Sequence, residues 1–514
     1  MKHGLILRTI TPTAVLTALL TTESAFGHAF GQRFDLPIPL NYYLVGAGGA
    51  VFFSFVLVVI FARVPLRNSS NVPQINIAKW RPVQWVARPV CIQFIRMLAL
   101  FLFLVTLVAG FIGPQDAAKN ILPTVVWIIW WTGMAYFCAL MGDLWHLINP
   151  WSSSFSLIEN LYRRIRGTDC GPSLDLNYPS WLGYWPACIV FVVFVWGELV
   201  WPSNAIPLNL AIAIAGYSVF TWTGMAIFGR ETWLTKAEAF TLFFGLLARF
   251  SVFEAHKPYH QNLSGKSIPV RSEWNLRLPG AGLIQEGRVS RSLMAFIILM
   301  LSTVTFDGFM GTPLWAEFLR ILPDWRPLQP ILFRLEMWGV YRDIVLTTAG
   351  LILFPLLFGG LYMSVAWAMR FVSSSRAESD RLRLMRTSDI ASYFVITLLP
   401  IAIAYHLAHY FSYLLIVGQF IIPLASDPFG LQWNLFGTID YKVNIAIVDA
   451  RFAWNTSLVA IVAGHIIAVY VAHILALRLF DSRKQALISQ IPMLVLMVLY
   501  TVLSLWILAQ PLIE

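Results

Sequence analysis

Long, nearly uninterrupted apolar segments dominate the pattern of hydrophobic and polar positions along the chain. A helix needs about 20 mostly apolar residues to cross the hydrocarbon core of a bilayer, and ten segments reach about that length. They are residues 41–62, 92–112, 121–142, 183–201, 207–228, 290–307, 344–369, 390–416, 452–478 and 486–509. The pattern therefore predicts an all-α, polytopic transmembrane helix bundle of about ten spans.

An eleventh apolar segment, 235–250, is short and carries Lys236, Glu238 and Arg249 close to its ends. Loops rich in Lys and Arg stay on the cytoplasmic side of a membrane, so an even number of spans must separate one such loop from the next. The basic loops are 63–91, 143–182, 370–389 and the stretch from 478. Their spacing is consistent only if 235–250 does not cross, which predicts an interfacial or re-entrant helix.

Composition narrows the class of protein further. Of the 514 residues, 58% are hydrophobic and 12% are charged, about half the charged fraction of a typical soluble domain. This excludes a soluble enzyme and a nucleic-acid binder, and it makes the lipid bilayer the main partner. The net charge of +10 comes from the basic loops. Four widely spaced cysteines without a CxxC motif argue against a disulfide scaffold, a thiolate metal site and a covalent c-type haem.

The N-terminus has the pattern of a secretory signal over residues 1–27, with basic residues, a modest apolar stretch and small residues at its end. Cleavage after Gly27 would leave His28 first, where its amine and imidazole could chelate copper beside a second histidine. An uncleaved anchor is the alternative. Residues 28–514 are then a single transmembrane domain in the bacterial inner membrane, and ten spans place the mature N-terminus in the periplasm.

Histidines within the predicted spans are the clearest candidates for chemistry, because ionisable groups are costly in hydrocarbon. His406 and His409 stand three residues apart, on one face of a helix. His465 lies on the next span at nearly the same depth. We predict a metal site of His406, His409 and His465 for a divalent transition metal, Zn, Cu or Fe. The alternatives are packing histidines bonded to carbonyl or tyrosine oxygens, or one haem b held between His406 or His409 and His465.

Carboxylates collect toward the same outer side. Asp307 ends one span and Asp449 precedes another, and we predict that they act as general base or as further metal ligands. Glu198 lies near the outer end of the span 183–201. The competing interpretation is solvation of helix ends and ion pairing, for example of Asp449 with Arg451.

Five segments carry a resemblance to a known family. They are 28–40 (HAFGQRFDLPIPL), 142–151 (GDLWHLINPW), 405–413 (YHLAHYFSY), 426–430 (SDPFG) and 451–454 (RFAW). With these segments the chain resembles a bacterial integral-membrane family labelled fenitrothion hydrolase or fenitrothion hydrolase-like. The resemblance implies cleavage of an organophosphorus triester with release of a nitrophenol. It implies no particular catalytic residues.

Three function classes follow as expectations. The first is a membrane-embedded, metal-dependent hydrolase of organophosphorus-type esters, in which a metal-bound hydroxide attacks a small lipophilic substrate. No HxH, HExxH or GxSxG motif of soluble hydrolases occurs in the chain. The second is a redox or electron-transfer protein with haem or copper on the same histidines. The third is a transporter of metal or a small molecule, for which Pro400 permits a kink before the histidine pair. A membrane partner subunit is a further expectation.

Overall fold

The computed structural model describes residues 36–62, 73–167, 171–256, 259–261, 267–269, 273–284, 287–374, 385–480 and 482–510. The predicted signal peptide, 1–27, and His28 lie outside the described residues. Of the residues that the structure describes, 76% are helical, which confirms the all-α fold class.

The helices differ widely in length, from single turns to segments of more than 30 residues. In chain order they are α1 Leu40–Phe61, α2 Arg81–Val86, α3 Pro89–Ile112, α4 Ile121–Leu140, α5 Leu144–Ile148, α6 Pro150–Arg166, α7 Trp185–Leu199, α8 Pro207–Phe228, α9 Arg230–Lys236, α10 Ala239–Ala248, α11 Ala281–Ile284, α12 Arg291–Met310, α13 Pro313–Ile321, α14 Gln329–Met337, α15 Arg342–Ser374, α16 Thr387–Phe394, α17 Leu399–Val417, α18 Ile421–Ser426, α19 Ala450–Leu479 and α20 Arg483–Ala509. The middle of α4, Thr124–Gly133, is a π-helix. Short 3₁₀ turns join α16, α17 and α18 into one crossing, Thr387–Ser426.

Nine helical segments of the described chain are long and apolar enough to cross a membrane, which makes this a multi-pass membrane protein. They coincide with nine of the ten predicted spans. The tenth, 183–201, is α7, whose 15 residues fall below that length. α7 nevertheless runs between the same two ends of the bundle as α12. Next to its start, the Tyr184 amide donates to the Ser292 hydroxyl in the first turn of α12, and its last turn carries Glu198, which contacts Tyr410 at the opposite end.

A three-stranded antiparallel sheet marks one end of the bundle, which we name the sheet end. Its strands are β1 Gln74–Asn76, β2 Phe253–His256 and β5 Glu273–Arg277, with β5 in the middle, and a separate pair is formed by β3 Tyr259–Gln261 and β4 Ser267–Pro269. Ile75 pairs with Leu276, and Glu254 pairs with Asn275. Many basic residues lie in the loops and helix ends at this end. They include Lys79, Arg81, Arg88, Arg163, Arg164, Arg166, Arg230, Arg288, Arg386, Arg483 and Lys484.

The segment predicted to be interfacial or re-entrant contains α10, and eight of its ten residues are buried. The pair α9–α10 begins and ends at the sheet end, and its turn lies inside the bundle. There Glu238, at the start of α10, accepts from the Tyr217 hydroxyl near the middle of α8. After the last turn of α10, the Val252 amide donates to the Leu140 carbonyl at the end of α4, and Arg277 of β5 donates to the Ala248 and Arg249 carbonyls. The segment therefore fits the re-entrant alternative.

The other end of the bundle, which we name the cavity end, holds both ends of the described chain. Tyr43 in the first turn of α1 packs edge-on against Trp454, and Leu508 in the last turn of α20 lines a cavity there.

A close helix crossing brings α17 against α19. A Cβ atom added to Gly464 of α19 would lie 2.8 Å from the Pro400 carbonyl oxygen of α17 and would collide with the Ala404 side chain. Only glycine permits this approach, which brings Pro400 and Ala404 of α17 against α19.

Candidate functional site

Four polar side chains meet inside the bundle near the cavity end. His409 Nε2 lies 2.9 Å from Asp307 Oδ2. The Tyr410 hydroxyl lies 2.5 Å from the same Asp307 oxygen and 3.3 Å from Glu198 Oε1. We name Glu198, Asp307, His409 and Tyr410 the acid–base cluster. They come from three elements, α7, α12 and α17.

Helical geometry explains why α17 contributes two members of the cluster. Residues three and four positions apart lie on one face of an α-helix, so His406, His409 and Tyr410 point the same way. The Tyr410 ring lies between the two imidazoles, with ring centres 4.7 Å from each. On the facing helix, Asp307 precedes Gly308, where an added Cβ would collide with the Tyr405 hydroxyl.

A cavity of about 520 Å³, which we name the vestibule, lies at the cavity end above the cluster. All four cluster residues line it. The rest of its wall is largely apolar and includes Trp127, Ile416, Val417, Trp454 and Leu508. A concave, mostly apolar space with a few converging polar groups is the usual form of a small-molecule site.

A smaller space of about 30 Å³, which we name the inner cavity, lies on the other side of the cluster. Glu198, Asp307 and Tyr410 line both spaces, so these three side chains form the partition between them. His406 and Trp131 line the inner cavity only. The cluster therefore presents polar groups both to the vestibule and to the inner cavity.

His406 and His409 differ in their surroundings. The His409 side chain is 16% exposed and paired with Asp307. His406 is buried, and its Nε2 finds no hydrogen-bond partner among the described residues. Its ring packs edge-on against Trp131, with ring centres 6.0 Å apart.

His465 does not join the histidine pair. It is fully buried, its Nδ1 lies 2.8 Å from the Ile461 carbonyl oxygen, and its ring lies beside Tyr500 with ring centres 5.8 Å apart. The preceding residue, Gly464, lies against Pro400 and Ala404 of α17, whereas the His465 side chain is turned toward Tyr500 of α20. The packing interpretation is therefore the one that His465 fits.

Asp449 also lies apart from the cluster. It is exposed and caps α19 by accepting a 2.6 Å hydrogen bond from the Phe452 amide. The structure therefore shows Asp449 as a helix cap, a role that an aspartate before a first helical turn commonly performs. It does not bring Asp449 to the cluster as a general base or ligand. Asp307 alone of the two predicted carboxylates lies in the site.

The predicted metal site of His406, His409 and His465 is not formed. Within the described ranges no group of three or more His, Cys, Asp and Glu side chains is arranged to hold a metal ion. His465 lies apart from the other two, with its Nδ1 against the Ile461 carbonyl and its ring beside Tyr500. A haem between His406 or His409 and His465 meets the same difficulty, since His465 faces Tyr500.

Two members of the cluster, Glu198 and Tyr410, are not among the predicted site residues. Glu198 lies near the outer end of its predicted span, as Asp307 does, and Tyr410 follows His406 by four residues. Position along the spans and helical spacing could therefore have pointed to both residues. Neither reveals the contact between them, because the sequence does not tell which faces of α7 and α17 meet.

No family model, no curated protein and no solved structure matches this chain. Its class is therefore defined by the architecture alone. It is a multi-pass, all-α membrane protein with the acid–base cluster between two cavities.

Proposed function

We propose that the protein is a membrane-embedded hydrolase in which His409 acts as general base and Asp307 orients it. The observation that carries the proposal is the 2.9 Å contact of His409 Nε2 with Asp307 Oδ2 at the base of the 520 Å³ vestibule. A carboxylate bonded to one imidazole nitrogen fixes the tautomer and leaves the other nitrogen able to accept a proton.

The vestibule supports a small, lipophilic substrate. Its apolar wall would remove the hydrocarbon parts of an ester from water, while the polar groups converge at one place. Organophosphorus-type esters are the class implied by the resemblance of 28–40, 142–151, 405–413, 426–430 and 451–454 to the fenitrothion hydrolase-like family. Such esters partition into bilayers and could reach the vestibule from the lipid.

In the proposed reaction, His409 Nδ1 takes a proton from a water molecule as the water oxygen bonds to phosphorus. The bond from phosphorus to the leaving oxygen breaks, and the same proton passes from His409 to that oxygen. Asp307 keeps its hydrogen bond to Nε2 and stabilises the transient imidazolium. Every group in these steps belongs to this chain, the substrate or water.

The orientation follows from charge. The basic residues gathered at the sheet end favour the cytoplasmic side, so we infer that the vestibule opens to the periplasm of the bacterial inner membrane. Both ends of the mature chain then lie outside the cytoplasm.

The test is hydrolysis of a nitrophenyl phosphotriester by the full chain in detergent, with wild type beside His409→Gln. Loss of a positioned general base lowers turnover by about 10²- to 10⁴-fold. His465→Asn is the matched control, because its amide can still donate to the Ile461 carbonyl, and it should retain turnover within about 2-fold of wild type. Equal turnover of His409→Gln and wild type would overturn the proposal.

Proton-coupled transport is the second candidate, and the partition between two cavities favours it. Buried carboxylates and histidines at membrane depth commonly form proton relays. If purified protein hydrolyses no ester but takes up protons when a small solute enters proteoliposomes, and Asp307→Asn abolishes that uptake, transport replaces hydrolysis.

A further inference from the structure

The inner cavity is a small, mostly apolar chamber with a few polar groups in its wall, and the proposed hydrolysis does not use it. Its volume of about 30 Å³ exceeds the roughly 10–15 Å³ that one water molecule needs. Buried water is stable where two to four polar groups surround it. The chamber therefore has room for one or two waters, if its wall supplies hydrogen-bond partners.

Two buried nitrogen atoms of the wall, Trp131 Nε1 and His406 Nε2, make no hydrogen bond of standard geometry to any part of the chain that the structure describes. The two residues are 5% and 7% exposed, and both line the inner cavity. The Trp131 indole lies close enough to the Glu198 carboxyl group to interact with it. Buried polar atoms left without a partner are rare because they lose hydration without replacement.

The chemistry of these two atoms limits the ligand. An indole Nε1 can only donate a hydrogen bond, so its partner must accept one. A bare cation cannot accept, and the described residues offer no metal-binding group. Water accepts from Trp131 and can still donate to or accept from His406. Water therefore fits both atoms.

Glu198 completes the chamber and carries a constraint of its own. The Tyr410 hydroxyl has one proton, and it lies closer to Asp307, at 2.5 Å, than to Glu198, at 3.3 Å. It therefore donates to Asp307. The contact between Tyr410 and Glu198 is a hydrogen bond only if Glu198 carries the proton and donates it to the phenolic oxygen.

We infer that the inner cavity binds a water molecule held by Trp131, His406 and a protonated Glu198. The chain of donors then runs from Glu198 to Tyr410 to Asp307, and His409 donates to Asp307 from the vestibule side. The inference does not depend on hydrolysis, because it concerns the resting arrangement of protons and water.

Infrared spectroscopy of the full chain in detergent tests the proton. We expect a carbonyl band of a protonated carboxylic acid that shifts in D₂O and disappears in Glu198→Gln. Glu238→Gln is the control, since that buried carboxylate accepts hydrogen bonds from its neighbours and needs no proton. Absence of the band in wild type, or its persistence in Glu198→Gln, would overturn the inference.

If Glu198→Gln cannot be purified, Tyr410→Phe serves instead. It removes the acceptor, so the band should shift in frequency, and an unchanged band would contradict the hydrogen bond.

A high-resolution map of the wild-type protein tests the water. We expect a density peak within hydrogen-bonding distance of Trp131 Nε1 and His406 Nε2. An empty cavity would overturn the assignment, and so would a peak accompanied by about one metal ion per chain in elemental analysis.

Discussion

Two glutamates inside the bundle show how similar groups can serve different purposes. Glu238 at the start of α10 is 1% exposed and accepts hydrogen bonds from the amides of Phe240, at 2.9 Å, and Thr241, at 2.7 Å. The hydroxyls of Tyr217 and Thr241 also donate to it. Glu238 caps α10, and its hydrogen-bonding capacity is filled by fixed protein donors.

Glu198 at the cavity end has a different environment. It contacts Tyr410 at 3.3 Å and lines both the vestibule and the inner cavity. Its proton can therefore exchange with space that a solvent molecule or a substrate can enter. The contrast indicates that a buried carboxylate is structural where protein donors saturate it and functional where cavities adjoin it.

The largest expected effect is on turnover. Asp307→Asn removes the charge that orients His409, and we expect a loss on the order of 10⁴-fold in ester hydrolysis, as for other orienting carboxylates. Glu238→Gln, compared per folded molecule, should keep turnover within a few-fold, because Glu238 lines neither the vestibule nor the inner cavity. If Asp307→Asn and Glu238→Gln lose equal activity, the distinction between a structural and a functional carboxylate fails.

The next effect is on stability. Here the change at Glu238 is expected to cost more than the change at Glu198. Glu238→Gln replaces an acceptor by an amide that must face donors, leaving buried groups unpaired at a cost of about 2–4 kcal/mol. Glu198→Gln should change the free energy of unfolding by less than about 1 kcal/mol. Thermal unfolding of both variants in the same detergent compares them, and a greater loss in Glu198→Gln would contradict the account.

A glycine pair tests whether the cavity end depends on close helix packing. Gly464→Ala should cost about 1–3 kcal/mol, since its Cβ would press on the Pro400 carbonyl and separate α17 from α19. Gly359→Ala is the control, because nothing lies within 4 Å of an added Cβ there. That control should be neutral or stabilising by up to about 1 kcal/mol. If Gly464→Ala and Gly359→Ala unfold at the same midpoint, Gly464 is not needed for the packing of α17 on α19.

The smallest expected effect concerns Asp449. Asp449→Ala removes the cap of α19 and should lower stability by about 1 kcal/mol, with turnover per folded molecule unchanged. Circular dichroism melting and the ester assay together measure both quantities. A large loss of turnover would show that Asp449 takes part in the reaction and is not only a helix cap.

Much of the fold was predictable, because the length of each apolar segment and the positions of the basic residues can be read directly from the sequence. The apolar segments located nine membrane-crossing helices, and the basic loops required 235–250 to stay on one side, where α10 lies. Asp307 and His409 were predicted because both are polar residues at membrane depth.

The contacts between side chains were not predictable to the same degree. Depth placed His465 level with His406, but the rotation of α19 turns it toward Tyr500. Asp449 has the depth of a ligand and the position of a helix cap, and the sequence alone does not separate these roles. Glu198 and Tyr410 become neighbours only when α7 and α17 are packed together.

The most direct test of the central claim is a double-mutant cycle in ester hydrolysis with Asp307→Asn, His409→Gln and the two changes together. If the pair acts as one unit, the double variant loses no more turnover than the worse single variant. Losses that multiply would show that Asp307 and His409 act independently, and this would contradict the acid–base pair on which the proposed function rests.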